Sequence, residues 1–177
     1  MHERAVAGAV VGTATRAIEL RRFGAVGLAL STPELAFKVA PEGPAPFAKG
    51  RLNVVPNATG EVRGGERVVL YFEIYNLVPA ADGGESRVGS SRYEVHYRIT
   101  PADREGNSIF TRLGNALRAK TFIESSFFEE GAGSTVRRNM AIDVSTLPAD
   151  RYHLELEVTD LVGGGSARRE LTFRRAE

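Results

Sequence analysis

Leu147-Pro148-Ala149-Asp150-Arg151-Tyr152-His153-Leu154-Glu155-Leu156-Glu157-Val158-Thr159-Asp160 decides the reading of the fold. From Tyr152 onward apolar and polar residues alternate. Tyr152, Leu154, Leu156 and Val158 fall on one side; His153, Glu155 and Glu157 fall on the other. A period of two places successive side chains on opposite faces of a strand. Gly163-Gly164-Gly165-Ser166 then turns the chain, and Arg168 to Arg174 returns it with Leu171 and Phe173 inward. In a β-sandwich, a tyrosine near the start of the penultimate strand can hydrogen-bond back to the preceding corner. Leu147-Pro148-Ala149-Asp150 supplies that corner for Tyr152.

The same period recurs upstream. Val68, Leu70, Phe72 and Ile74 share one face of a strand, with Val69, Tyr71, Glu73 and Tyr75 on the other. Tyr93, Val95, Tyr97 and Ile99 point inward, against Glu94, His96 and Arg98 outward, as a half-solvated antiparallel sheet requires. Strands are also predicted over 14–23 (Ile18, Leu20), 52–55, 121–128 (Phe122, Ile123, Phe127, Phe128) and 136–144 (Met140, Ile142, Val144 inward). Residues 28–39 carry Leu28, Leu30, Leu35, Phe37 and Val39, but Pro33 cannot donate to a ladder, so they read as two short pieces or an edge strand. Ile109, Phe110, Leu113 and Leu117 fit one helical face and predict a short helix or structured loop within 107–120. Pro41, Pro44 and Pro46 mark a boundary. The resulting expectation is an all-β protein. An immunoglobulin- or fibronectin-III-like antiparallel β-sandwich spans 47–177, preceded over 1–46 by an N-terminal β arm with one or two strands, or the tail of a preceding domain.

Composition narrows the function classes. The chain has 23 basic and 22 acidic residues, so net charge offers no reason to expect nucleic acid or an acidic membrane as partner. No run approaches the ~20 apolar residues of a membrane helix, so membrane insertion is not expected. Absence of cysteine removes disulfides, thiol nucleophiles and thiolate metal sites. The start, Met1-His2-Glu3-Arg4 followed by Ala5 to Gly12, faintly imitates a signal peptide; the plainer reading is a frayed terminus or an arm of a longer polypeptide.

Several segments together resemble one family. They are Arg16-Ala17-Ile18-Glu19-Leu20, Leu28-Ala29-Leu30-Ser31 with Glu34-Leu35-Ala36, Val54-Val55-Pro56-Asn57, Leu70-Tyr71-Phe72-Glu73-Ile74-Tyr75-Asn76-Leu77, and Leu147 through Asp160. The chain resembles the C-terminal β-sandwich region of bacterial GWxTD-domain-containing proteins. The motif that names that family is absent, because the chain has no tryptophan. The resemblance implies a periplasmic or exported module of a longer architecture. It brings no catalytic residues with it.

The candidate chemistry is sparse. His96 and His153 each sit on an outward face beside a carboxylate, Glu94 and Glu155. On adjacent strands they would make a shallow metal site; the plainer reading is a solvated polar face. Glu129-Glu130 and the pair Glu155 and Glu157 lack the apolar pocket that a general acid needs. There is no Gly-x-Ser-x-Gly elbow, and Gly163-Gly164-Gly165 is not followed by the Lys-Ser/Thr of a phosphate loop. Arg137-Arg138, Arg168-Arg169 and Arg174-Arg175 form a basic patch without interleaved aromatics. Asn57-Ala58-Thr59 matches a glycosylation sequon and equally a turn. No enzyme activity, catalytic residue, cofactor or metal is expected.

Tyr71, Glu73 and Tyr75 form the one surface to single out, since outward aromatics flanking a carboxylate are unusual on a bare solvent face. Three uses compete. The N-terminal arm covers the stripe with Ile18, Leu20 or Phe37; a neighbouring domain or protein partner docks there; or the two tyrosines, roughly 13 Å apart by strand rise, stack sugar rings of a polysaccharide. The leading expectation is a non-catalytic immunoglobulin-like module for protein–protein or interdomain contact in the bacterial envelope. The alternative is a carbohydrate-binding module using an exposed tyrosine stripe. For the corner itself, Tyr152→Phe is expected to lower stability by about 0.5–1.5 kcal/mol, the net worth of one hydrogen bond. Chemical denaturation of the two proteins checks it.

Overall fold

The computed structural model describes residues 17, 23–24, 26–41, 46–81, 89–102 and 122–177. The leader-like start with His2, the strand carrying Ile18 and Leu20, and the helical face of Ile109 to Leu117 lie outside the described residues. Among those described, the chain is all-β, with no helix and eleven strands. In chain order they are β1 (Ala29–Leu30), β2 (Glu34–Pro41), β3 (Ala48–Lys49), β4 (Leu52–Pro56), β5 (Glu61–Val62), β6 (Arg67–Tyr75), β7 (Ser90–Pro101), β8 (Ile123–Ala132), β9 (Val136–Asp143), β10 (Asp150–Asp160) and β11 (Ser166–Arg175).

They form two sheets. In the first, β6 is central: β9 pairs along one flank, while β1 and β2 share the other, followed by β4 and β3. The second runs β5-β11-β10-β7-β8. Every pairing is antiparallel except β5 with β11, which is parallel over two residues. Pro33 does split the segment after Leu28 into two strands. Both parts, which the sequence division places in the arm, pair with β6 (Leu30 with Ile74, Leu35 with Leu70). Ser31 bridges the break. Its N–H donates to Glu73 O at 2.9 Å, and its hydroxyl oxygen accepts from Glu73 N at 2.9 Å, so the ladder continues where the proline interrupts it.

The inward faces meet as one core. Val68, Leu70, Phe72 and Ile74 of the first sheet pack against Tyr93, Val95, Ile99, Tyr152, Leu154, Leu156, Val158 and Phe173 of the second, all buried. Each such side chain contributes about 1.5–3 kcal/mol by leaving water. That sum far outweighs any single polar contact, which is why the alternating pattern dictates the sandwich. Register keeps like with like: Leu154 lies between Ile99 and Leu171, and Val158 between Val95 and Ala167. The Tyr152 hydroxyl donates to Pro148 O at 2.8 Å, and its ring stacks on Phe173 with centroids 5.6 Å apart.

One buried carboxylate ties a loop into this frame. Asp160, only 2% exposed, ends β10. Its Oδ1 accepts from Val162 N at 2.9 Å and Gly163 N at 3.0 Å, while Oδ2 accepts from Val78 N at 2.8 Å. The terminal hairpin turn is thereby fastened to the chain leaving β6. Gly163 is required by closeness: a Cβ there would start 2.6 Å from Val78 Cγ2 and 2.7 Å from Asp160 Oδ2. Asp160→Ala strands three N–H donors, and hydrogen bonds to a charged group contribute about 1.5–3 kcal/mol. The variant is expected to lose at least that much stability, measured by urea unfolding.

Candidate functional site

Strand β6 turns Tyr71, Glu73 and Tyr75 away from the sandwich interior because its other face is committed to the core. The three are joined by hydrogen bonds within the strand. Tyr71 Oη donates to Glu73 Oε1 at 2.5 Å, and Tyr75 Oη donates to Glu73 Oε2 at 2.6 Å. Residues two apart on a strand share a face, so both phenols reach the intervening carboxylate. Arg137, opposite Glu73 on β9, places Nε 3.5 Å from Oε1.

Of the competing uses of the stripe, an open surface does not hold at Tyr71, which is only 3% exposed, and its cover is not the N-terminal arm. The cover is the β3–β4 hairpin. By pairing order β3 lies three strands from β6, about 14 Å in a flat sheet. Yet Lys49 Nζ sits 4.9 Å from the centroid of the Tyr71 ring, and Lys49 also pairs with Glu34, the residue opposite Tyr71 on β2. A Cβ at Gly50 would begin 3.3 Å from Arg137 Nη1, although β9 lies beyond β6. The sheet therefore curls over its own outer face. Gly50, at φ +65°, makes the turn that reaches the arginine. A second apolar cluster fills the space beneath: Ala36, Val54 and Tyr71, with Val39, Leu52 and Val69 packed on it.

Tyr75 is covered from the other end. Phe23 stacks on it, with centroids 4.6 Å apart and planes 20° apart. Asn76 fixes the approach. It adopts a left-handed backbone, φ 62°, and its Nδ2 donates to Gly24 O at 2.6 Å and Gly27 O at 2.9 Å. The N-terminal segment thus reaches the stripe through Phe23. Phe37, 57% exposed, stays in solvent.

The electrostatics follow from this geometry. Burial alone would raise the Glu73 pKa. The two phenolic donors and Arg137 outweigh it and hold the carboxyl below its ordinary 4.5. Burial first, then the hydrogen bond and charge of Glu73, pushes Tyr75 up to about 12 and Tyr71 above its ordinary range. Burial likewise raises Tyr93, against the opposing pull of Arg138. The chemistry on offer is a clamped, ionised carboxylate among protonated phenols. Held ionised, this carboxylate accepts and orients donors and is not a general acid.

The remaining candidates are spent on structure. His96 and His153 do lie on adjacent strands, but register sets His96 opposite Glu157 and His153 opposite Thr100. Four residues of offset separate them by roughly 13 Å, too far to share an ion. His96 Nε2 instead lies 2.9 Å from Glu124. No metal-binding group of three or more His, Asp or Glu occurs among the described residues. Four of the six patch arginines are paired: Arg137 with Glu73, Arg138 with Glu129, Arg168 with Glu155 and Glu170, and Arg174 with Glu61. Arg169 and Arg175 donate to the backbone carbonyls of Arg168 and Ser145. The sequon asparagine is occupied. Asn57 is buried, its Nδ2 donates to Glu61 O at 2.7 Å, and its Oδ1 accepts from Thr59 at 2.7 Å.

Lys49, Gly50, Phe23, Asn76 and Arg137 belong to the site, and the sequence reading had not gathered them. Only Lys49-Gly50 carried a local signal, a glycine able to turn a hairpin. Comparison with protein families and with curated proteins returns no match. The resemblance to GWxTD proteins therefore rests on the sequence segments alone.

The sign of the linkage is fixed by these shifts. Glu73, lowered from 4.5, contributes stability that is present above that value and is lost as pH falls through its folded pKa. Tyr75, raised from 10.0 to about 12, contributes stability present below 10 and lost as pH climbs toward 12. In an alkaline absorbance titration, phenolate formation in the folded chain should lag the denatured chain across that window. Glu73→Gln should advance the Tyr71 and Tyr75 transitions while leaving Tyr93 in place.

Proposed function

We propose that this chain is a non-catalytic immunoglobulin-like module mediating protein–protein or interdomain contact in the bacterial envelope, kin to the C-terminal sandwich region of GWxTD-domain-containing proteins. One observation carries the reading: the Tyr71–Glu73–Tyr75 stripe receives the chain that leads into the sandwich. Phe23 stacks on Tyr75, Asn76 holds two carbonyls of residues 24–27, and β1 adds to the edge of β6 beside them. A face specialised for gripping preceding polypeptide is what a module docked within a longer architecture uses.

The corner hydrogen bond of Tyr152 and the two-sheet core support the immunoglobulin-like type. Glu73 supports the non-catalytic reading. A general acid is a carboxyl with a raised pKa, whereas this one is lowered and doubly hydrogen-bonded. The sugar-binding alternative needs open ring faces. Lys49 lies over one tyrosine and Phe23 over the other, so the geometry favours the polypeptide reading.

The experiment replaces Phe23 with Ala and Asn76 with Gly, which keeps the left-handed backbone and removes the amide. Limited proteolysis N-terminal to β1 should accelerate roughly tenfold, the worth of one aromatic pair and two hydrogen bonds at its lower end. The core should melt nearly as before. Unchanged cleavage would overturn the docking reading. Retention of the chain on a polysaccharide matrix, abolished by Tyr71→Ala with Tyr75→Ala, would replace it with the sugar one.

A further inference from the structure

The second sheet ends in β8, ten residues long, which pairs with β7 on one side only; among the described residues nothing pairs with its outer edge. The phase of the ladder identifies what that edge presents. Gly133 N–H donates to Gly89 O at 2.9 Å, so odd-numbered residues of β8 face β7. Glu124, Ser126, Phe128 and Glu130 therefore direct their backbone N–H and C=O groups away from the sheet. All four are exposed, whereas Ile123 and Phe127 pack on the core. The same four residues thus offer both an open backbone and the outward side chains. Arg138 Nη2 donates to Glu130 O at 2.6 Å and closes the edge there. The open run is Glu124 to Phe128.

Phe128 is 73% exposed at the end of this run. Glu94 lies directly opposite it on β7, accepting from Ser126 Oγ at 2.6 Å, and Glu130 follows two residues later. Neither carboxylate has an ion pair among the described residues. Other charges nearby are engaged: Glu124 with His96 and Arg98, and Glu129 with Arg138. Among the described residues Arg92, opposite Glu130, is the one cation left beside them. A shallow depression of about 250 Å³ adjoins the ring, lined by Arg92, Phe128, Glu129, Glu130 and Leu161.

We propose that the β8 edge, from Glu124 to Phe128, takes up an extended segment of another polypeptide as an added strand. That segment carries a lysine or arginine whose stem lies on the Phe128 ring and whose charge sits between Glu94 and Glu130. Strand addition supplies backbone hydrogen bonds; the aromatic ring and two carboxylates select the cation. A second copy of β8 brings no cation, since its sequence holds three glutamates and no lysine or arginine. Centred on Ser126 it sets Glu124 against Phe128, centred on Phe127 it sets Glu124 against Glu130, and centred on Phe128 it requires the Glu130 carbonyl that Arg138 already holds. The site shares no residue with the tyrosine stripe, so the two readings stand or fall separately.

The probe is a short labelled peptide alternating lysine with valine, followed by fluorescence anisotropy against the whole chain. A glutamate–valine peptide is the control. Saturable, salt-sensitive binding of the lysine peptide alone is expected. Ser126→Pro removes an outward N–H and leaves the β7 ladder intact; it should weaken binding about three- to tenfold, the worth of one hydrogen bond. Phe128→Ala and Glu94→Gln should weaken it without moving the melting temperature, and they decide the matter if Ser126→Pro unfolds. Equal binding of the glutamate peptide, no binding, or indifference to all three substitutions overturns the proposal. So does dimerisation of the free chain through this edge, read by analytical ultracentrifugation and abolished by Ser126→Pro.

Discussion

A carboxylate on the outer face of the central strand organises the outer side of the first sheet. Glu73 cannot turn inward, where Phe72 and Ile74 fill the core, and its own face is half-covered. A partly buried charge must be compensated. Tyr71 and Tyr75 donate to it, and Arg137 approaches from β9. Those three groups then need cover of their own. The hairpin with Lys49 and Gly50 closes over Tyr71 and Arg137, and Phe23 closes over Tyr75. One ionised group thereby recruits the curled end of the first sheet, the segment before β1 and the edge strand β9.

A comparable junction joins the sheets. Tyr93 is buried, yet its hydroxyl reaches the rim, donating to Glu129 at 3.0 Å and accepting from Arg138 of the opposite sheet. Arg138 also pairs with Glu129 at 2.5 Å. Glu129 and Arg138 are only about one-third exposed, so this contact is screened less than a surface pair. It ties β8 to β9 where the chain crosses between sheets. By holding the Glu130 carbonyl it also limits how much of β8 stays open.

The strands were legible because their physics is local. Alternation in 68–75, 93–99 and 152–158 reports burial of one face, and that is a property of residue order. Pro33 announced its break by lacking an N–H. Tyr152 announced its corner through the Pro148 turn. The site was only half legible. Tyr71, Glu73 and Tyr75 share a face by period, so the stripe itself could be read. Its cover could not, since Lys49 and Tyr71 are 22 residues apart and Asn76 reaches back 52 to Gly24. The histidines show the same limit: both faces were read as outward, but a four-residue offset in register separates them.

Sequence alone thus determined which residues of β6, β7 and β10 face the core, and that the described chain is all-β with a tyrosine stripe on β6. The reason is that burial of apolar side chains at a period of two needs no knowledge of the partner strand. Sequence missed the bounds of β8, read as 121–128 and found at Ile123–Ala132 with Phe122 and Phe128 exposed. Tertiary structure alone decided whether that stripe is open or closed. Curl of the sheet, strand register and the left-handed turn at Asn76 depend on contacts between distant residues. No local pattern encodes them. It is they that convert two outward tyrosines and a glutamate from a bare surface into a clamp on the chain's own N-terminal segment.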